Sequence, residues 1–217
     1  MSPGSAPRLT LSMRLARLCL RLVGWRVVTS LPPTRKFVAI AAWHTSNWDF
    51  PLSMLGMWGM GLRLNFLGKQ ELLDGPMGWF MRRVGVLGVD RSKRGNLVKK
   101  TAQLFAERDE LMLVVPAEGT RGKTEYWRTG FYYMALTANV PIAFAYVDSL
   151  KKEVGIGGYF YPTGDVEADL AQIRAFYEPK RGLKPGKQGP VAFRPRAPEP
   201  QGDLADTEGL ELEEQTP

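Results

Sequence analysis

The segment Phe37-Val-Ala-Ile-Ala-Ala-Trp43 is an apolar run of the type that forms a buried strand, and it leads into His44-Thr-Ser-Asn-Trp-Asp49-Phe-Pro51. A proline at position 51 suits the first turn of a helix, because its missing N–H would have no partner there. The stretch therefore predicts a strand, a short connection and a helix. His44 lies on that connection, a position at which proteins commonly display catalytic groups.

The same alternation of apolar runs and helical segments continues along the chain. Besides residues 37–43, the sequence predicts strands at 63–67, 85–90, 111–115, 142–147 and 154–161. Helices are predicted between and after them, at 51–60, 75–83, 97–108, 130–138 and 167–177. These elements indicate a single α/β domain with a mixed, mostly buried β-sheet flanked by helices.

The charge of the chain is distributed unevenly. There are 29 Lys and Arg against 22 Asp and Glu, but residues 199–217 contain seven of the acidic groups and no basic one. The preceding body therefore carries 29 basic and 15 acidic groups, which predicts an anionic partner such as nucleic acid, a membrane surface or a phosphorylated substrate. The acidic tail is poor in aromatic residues and is predicted to be disordered.

Residues 8–28 have the pattern of a basic amphipathic helix. Apolar side chains recur at intervals of three and four and arginines fall on another face; the two sets are Leu11, Leu15, Leu18, Leu22 and Trp25, and Arg14, Arg17 and Arg21. Such a helix suits an anionic membrane surface, and its arginines argue against a membrane span or a signal peptide. The alternative is that the leucines pack on the domain core. Both contacts are possible if one side of the helix meets the core and another side meets the lipid.

We therefore expect three regions: a membrane-interface helix at 1–30, the main domain at 31–178, and a basic Pro/Gly-rich extension with the acidic tail at 179–217. The expected location is peripheral, at the cytoplasmic face of the membrane. The single cysteine, Cys19, excludes an internal disulfide, and one Cys with one His is too little for a structural zinc site, so no metal is predicted.

His44 is the only histidine, so any imidazole chemistry must use it. One ring nitrogen of an imidazole can take a proton from a hydroxyl while a carboxylate, here Asp49, stabilises the other ring N–H. The pair alone does not establish catalysis, because a lone histidine is more often a structural residue. Two later segments fit the same chemistry, because Arg91 and the turn from Glu118 to Arg121 also follow predicted strands. Ligands of open α/β sheets bind beyond the carboxyl ends of strands, and arginines with glycine-opened N–H groups suit a phosphate monoester.

At this point the chain resembles a family. His44-x-x-x-x-Asp49, Gly85-Val-Leu-Gly-Val-Asp90-Arg91, Glu118-Gly119-Thr120-Arg121 and Val140-Pro141-Ile142 occur in the order of the four motif blocks of glycerolipid acyltransferases, of which lysophosphatidic acid acyltransferase is the best-known bacterial member. The resemblance covers about half the chain.

The resemblance implies a role for each motif. His44 would be the general base and Asp49 would orient it, while the acceptor would be held by Arg91, Glu118, Gly119, Thr120 and Arg121. The reaction would move a fatty acyl group from acyl-CoA or acyl carrier protein to a lysophospholipid, with 1-acyl-glycerol-3-phosphate as the expected acceptor and a lysolipid with an amino-acid headgroup as the alternative. No cofactor is implied. Val140-Pro141-Ile142 would shape the donor side or simply form a turn into a strand, and Met54, Met57, Trp58, Met60 and Phe66 would line an acyl tunnel or belong to the core.

Two other functions remain as alternatives. Residues 117–124 match a relaxed phosphate-binding loop, which would require a helix to begin at Gly122-Lys123-Thr124. Nucleic-acid binding would use the basic body, but no known nucleic-acid-binding motif is present and we expect no nucleic-acid partner. The sequence indicates no particular oligomeric state.

Overall fold

The computed structural model describes residues 9–89, 94–120 and 122–194. Helices and strands alternate through most of this range, as expected of an α/β domain. In chain order the elements are α1 (Leu11–Leu22), β1 (Arg26–Ser30), β2 (Lys36–Ala42), α2 (Asp49–Met60), β3 (Asn65–Lys69), α3 (Gln70–Asp74), α4 (Gly78–Val84), β4 (Val86–Val89), α5 (Arg94–Glu107), β5 (Leu111–Pro116), α6 (Gly130–Ala138), β6 (Ile142–Asp148), β7 (Glu153–Phe160) and α7 (Val166–Tyr177).

The strands form one seven-stranded sheet in the order β1-β7-β6-β2-β5-β3-β4. All neighbouring strands are parallel except β6 and β7, which are antiparallel. Strand β2 lies at the centre, and Val38, Ala39 and Ile40 are fully buried there because helices cover both faces of the sheet. The predicted α/β class with a mixed, mostly buried sheet is confirmed.

The N-terminal helix is shorter than the sequence pattern predicts. It ends at Leu22, Gly24 follows with φ +78°, and residues 26–30 form β1 at the edge of the sheet instead of a further helical turn. Glycine favours this left-handed conformation, and Val27, Val28 and Thr29 are β-branched residues that suit a strand. The region assigned to the helix at 1–30 therefore contains a strand that pairs in parallel with β7.

Helix α1 uses two different faces. The predicted apolar stripe of Leu11, Leu15, Leu18 and Leu22 is exposed, whereas Met13, Ala16 and Leu20 are buried against the domain. Arg17 Nε donates to the carbonyl oxygen of Gly59 on α2 at 2.7 Å, which fixes the two helices together. Among the described helices, none has the length and apolar character needed to cross a membrane.

The chain after α7 packs back onto the domain as an ordered segment, residues 178–194, which we call the C-terminal strap. Near its start, Ser149 Oγ donates to the carbonyl oxygens of Arg181 and Gly182. The Lys184 N–H donates to Thr45 Oγ1 at 3.0 Å, and the Trp127 N–H donates to the carbonyl oxygen of Ala192 at 2.7 Å. The strap therefore joins the connection after β2 to the loop that precedes α6.

Candidate active site

Two neighbouring parallel strands bring His44 and Glu118 together. His44 follows the end of β2 and Glu118 follows the end of β5, and these strands pair from Lys36–Leu111 to Ala41–Pro116. The backbone N–H of His44 donates to Glu118 Oε2 at 2.7 Å. Parallel strands end at the same edge of a sheet, so the contact follows from the topology.

Asp49 fixes the residues that follow His44. Its Oδ2 accepts hydrogen bonds from the backbone N–H groups of Thr45 at 2.7 Å and Ser46 at 2.6 Å. Asp49 is the first residue of α2 and is only 1% exposed. Together with Glu118 it supplies a carboxylate oxygen to each of three consecutive N–H groups, at 44, 45 and 46. The His44 connection is therefore held by two buried acids from different parts of the chain.

The Glu118 carboxyl is unusually hard to ionise. It is 4% exposed, and burial raises its pKa to about 7, partly offset by the hydrogen bond from the His44 N–H and increased by the charge of Asp49. Burial removes the water that would solvate the charged form. The two carboxyl groups accept hydrogen bonds from consecutive N–H groups, those of His44 on one side and of Thr45 and Ser46 on the other, so the Asp49 charge acts on Glu118.

An apolar cavity of about 80 Å³ opens beside His44 and Asp49 and extends between α2 and the sheet. Four of the five residues considered for an acyl tunnel line it, namely Met54, Met57, Met60 and Phe66, together with small residues of β2 and β6 such as Ala41 and Ala145. Trp58, the fifth, is exposed on α2. An apolar space thus lies directly beside the only histidine of the sequence.

The turn after β5 presents Gly119 and Thr120 at the surface, next to the buried Glu118. Gly119 has φ +66°, a conformation that favours glycine. Thr120 Oγ1 accepts a hydrogen bond from the Gly122 N–H at 3.1 Å. Arg91 and Arg121, also predicted to hold the acceptor, lie outside the described residues.

Sequence reasoning missed Arg128, which lies over the same turn. A Cβ atom at Gly119 would come within 2.3 Å of Arg128 Nε, so the guanidinium group lies against the glycine. The backbone N–H of Arg128 donates to the carbonyl oxygen of Ala117 at 2.8 Å. The segment Trp127–Tyr133 resembles short bacterial members of the family, but the sequence assigned this arginine no role, because its position depends on the chain returning to the end of β5 after residue 122.

Two alternatives are decided by geometry. Val140-Pro141 precedes β6 at the opposite edge of the sheet, since Ile142 is level with Val38 and the end of β2 lies about 13 Å further along the strand. It forms the turn into a strand and does not reach the His44 side. No helix begins at residues 122–124, which the structure describes as irregular until Gly130 starts α6, so the phosphate-binding loop is excluded.

Comparisons with known proteins relate the chain to one family and to one solved structure. A sequence model of the acyltransferase family matches residues 26–147. In structure, the chain is similar to the 1-acyl-sn-glycerophosphate (LPA) acyltransferase PlsC from Thermotoga maritima, with 16% sequence identity, a TM-score of 0.49, and coverage of 74% of this chain and 72% of that one. Among curated protein sequences, none matches the chain.

Proposed function

The chain belongs to the acyltransferase family, whose sequence model spans more than half of its 217 residues, and from this we propose that it transfers a fatty acyl group from a thioester to the free hydroxyl of a lysophospholipid. The observation that carries the proposal is the His44 connection, held by two buried carboxyl groups at the mouth of an apolar cavity. The expected acceptor is 1-acyl-glycerol-3-phosphate, and acyl-CoA or acyl carrier protein would be the donor.

His44 acts as the general base in this proposal. Its imidazole takes the proton from the acceptor hydroxyl while the hydroxyl oxygen attacks the thioester carbonyl carbon. The C–S bond then breaks, and the imidazolium returns the proton to the leaving thiolate. The protein forms no covalent intermediate, so a nucleophilic Ser or Cys is not needed.

Glu118 and Asp49 serve this step by fixing the base. Their hydrogen bonds to the N–H groups of residues 44–46 hold the backbone of His44, and hence the origin of its side chain, in one position. Catalysis depends on such pre-arranged geometry, because a misplaced base loses the short contact that proton transfer requires. The described contact gives Glu118 a positioning role. The predicted contacts of Glu118, Gly119, Thr120, Arg91 and Arg121 with the acceptor stay part of the proposal.

In this proposal the apolar cavity widens to receive the acyl chain. Its volume of about 80 Å³ is well below the ~300–1,000 Å³ of typical ligand pockets, so side chains must move when a chain enters. Methionines suit this purpose because their unbranched side chains change rotamer readily. Successive lining residues Met54, Met57 and Met60 lie one helical turn apart along α2, so the cavity follows the helix axis away from His44.

Peripheral membrane binding completes the proposal. The exposed leucine stripe of α1 lies beside exposed Arg14 and Arg21, a combination that favours an anionic bilayer surface. Trp48 and Phe50 flank Asp49 and are 72% and 53% exposed, and Phe50 also lines the cavity, so exposed aromatic side chains lie next to it. Aromatic residues are favoured at membrane–water interfaces, where a lysolipid acceptor would be found.

The proposal is tested by acyl transfer with the purified full chain. A panel of lysolipids, including lysophosphatidic acid and lysolipids with amino-acid headgroups, is combined with acyl-CoA and acyl carrier protein as donors. We expect transfer to lysophosphatidic acid. Activity confined to another lysolipid would change the acceptor, and no transfer to any acceptor would contradict the proposed function.

A further inference from the structure

Arg128 is fixed at the active-site edge of the sheet by contacts on both sides. Its backbone N–H donates to the carbonyl oxygen of Ala117, the residue directly before Glu118. The preceding Trp127 is 2% exposed and its ring packs edge-on against Trp43 at a centroid distance of 5.6 Å. The two buried tryptophans are therefore in contact, and each directly precedes a residue near the site: Trp43 precedes His44 and Trp127 precedes Arg128.

The guanidinium group of Arg128 rests on the turn after Glu118. The Nε, Cδ and Cζ atoms of Arg128 would lie within 3.3 Å of a Cβ atom at Gly119, so only glycine leaves room for the side chain there. The close approach orients the group over the turn that the sequence motif assigned to the acceptor. Position 119 therefore requires glycine for two reasons, the close approach of Arg128 and a φ of +66°.

The Arg128 side chain is exposed, and its guanidinium has no ion-pair or hydrogen-bond partner within residues 9–89, 94–120 and 122–194. Some arginines of the described part do have partners, for example Arg26 with Glu153, Arg35 with Glu110, and Arg17 with the Gly59 carbonyl oxygen. A guanidinium presents five donors in a planar fork that matches phosphate oxygens. Such a group, exposed on the turn that follows Glu118, is suited to an anionic substrate.

We infer that Arg128 binds a phosphate group of the substrate over the turn that follows Glu118. The inference rests on the proposed function only for the identity of the ligand. The phosphate monoester of the lysolipid acceptor is the expected source, because the turn under Arg128 is the one assigned to the acceptor. The phosphopantetheine phosphate of the donor carries the same chemistry, and the experiment separates the two.

The test uses the full-length protein with Arg128→Gln, Arg128→Lys and a matched control, Arg63→Gln, in which an exposed arginine before β3 at the opposite edge of the sheet is changed. Binding of glycerol 3-phosphate is measured by calorimetry, and the KM values for lysophosphatidic acid and for acyl-CoA are measured separately. We expect Arg128→Gln to weaken glycerol 3-phosphate binding and raise the KM for lysophosphatidic acid by about 10- to 100-fold. Arg128→Lys retains the positive charge without the planar fork of donors, so its binding and its KM should lie between those of the wild type and of Arg128→Gln.

Each outcome decides a separate point. An increase confined to the KM for acyl-CoA supports an arginine–phosphate contact but assigns it to the donor. If wild-type protein transfers no acyl group yet its glycerol 3-phosphate binding depends on Arg128, the proposed function fails and the inference stands. If Arg128→Gln, like the control Arg63→Gln, has the same glycerol 3-phosphate binding and the same two KM values as the wild type, the inference is overturned.

Discussion

The carboxyl group of Glu118 accepts the backbone N–H of His44 at 2.7 Å, across two parallel strands that are far apart in sequence. The contact is made to the main chain, so it fixes where the histidine begins without occupying its ring nitrogens. Two functions are thus divided between two residues: Glu118 positions the backbone, and His44 transfers the proton. Removal of either side chain therefore has a distinct expected effect.

Glu118→Gln tests whether Glu118 is buried with a raised pKa, because such a group makes the folding stability depend on pH. The pKa of Glu118 is about 7 in the folded protein and near 4.5 when unfolded, so between these values the folded state binds the extra proton. Folding stability from this group is therefore full below pH 4.5 and is lost as the pH rises through 7, by about 2 kcal/mol between pH 5 and 8. Urea unfolding at both pH values should show this loss in the wild type and in the control Glu125→Gln, and a smaller loss in Glu118→Gln. Parallel pH profiles for all three proteins would contradict the assignment.

Asp49→Ala should destabilise the protein by about 3 kcal/mol. The substitution leaves the N–H groups of Thr45 and Ser46 buried without their carboxylate acceptor, at a cost of ~1–3 kcal/mol for each donor. Asp109→Ala, which changes an exposed aspartate, is the matched control. Chemical denaturation measures the difference. Equal stability of the two variants would show that Asp49 does not hold the connection after His44.

Leu15→Gln combined with Leu18→Gln should weaken binding to vesicles of phosphatidylcholine and phosphatidylglycerol by at least about tenfold. Both leucines are exposed in the free protein, and each buries apolar area worth up to ~1.5–3 kcal/mol if it enters the bilayer. Leu150→Gln, at an equally exposed site between β6 and β7, should have no effect. Cosedimentation at low and high salt measures the binding. Unchanged binding of the double variant would exclude the leucine stripe as the membrane contact. Point changes are preferred to deletion of residues 1–28, because such a deletion also removes most of β1.

Met57→Val should shift the acyl-chain preference toward longer or bulkier chains. Met57 is buried, lines the cavity, and lies about two helical turns from Asp49 along α2. Met134→Val removes similar volume from α6, in the hydrophobic cluster on the other face of the sheet, and serves as the control for a simple loss of packing. Relative kcat/KM across acyl-CoA donors of increasing length measures the preference. An identical profile in both variants would mean that the cavity does not receive the chain.

Much of the fold could be predicted because its signals are local. The apolar runs of β2, β5 and β6 and the helix start near Pro51 were recognised within a few residues of their observed bounds. Strand β1 was missed because its pairing partner, β7, lies more than 120 residues away and the preceding helical pattern continues into it. The helix predicted at 75–83 corresponds to α4, whereas α3 was not predicted; the two helices meet closely at Gly78, where a Cβ atom would lie 1.8 Å from the Leu73 carbonyl oxygen.

The site was predictable in composition but not in its contacts. The motif blocks pointed to His44, Asp49 and Glu118, and the order of parallel strands explains why His44 and Glu118 meet. The hydrogen bonds that Glu118 and Asp49 accept from backbone N–H groups carry no sequence signal, because almost any residue can supply an N–H. Arg128 could not be found either, since its place over Gly119 depends on the return of the chain after the turn.

The most direct test of the central claim is acyl transfer to a lysolipid by His44→Ala. This change removes the imidazole but keeps the backbone N–H that Glu118 accepts, so the connection after β2 should stay in place. We expect a melting temperature close to that of the wild type and a kcat lower by at least ~10²-fold, the lower range for a lost general base. A well-folded His44→Ala protein with near-normal kcat would contradict the assignment of His44 as the base.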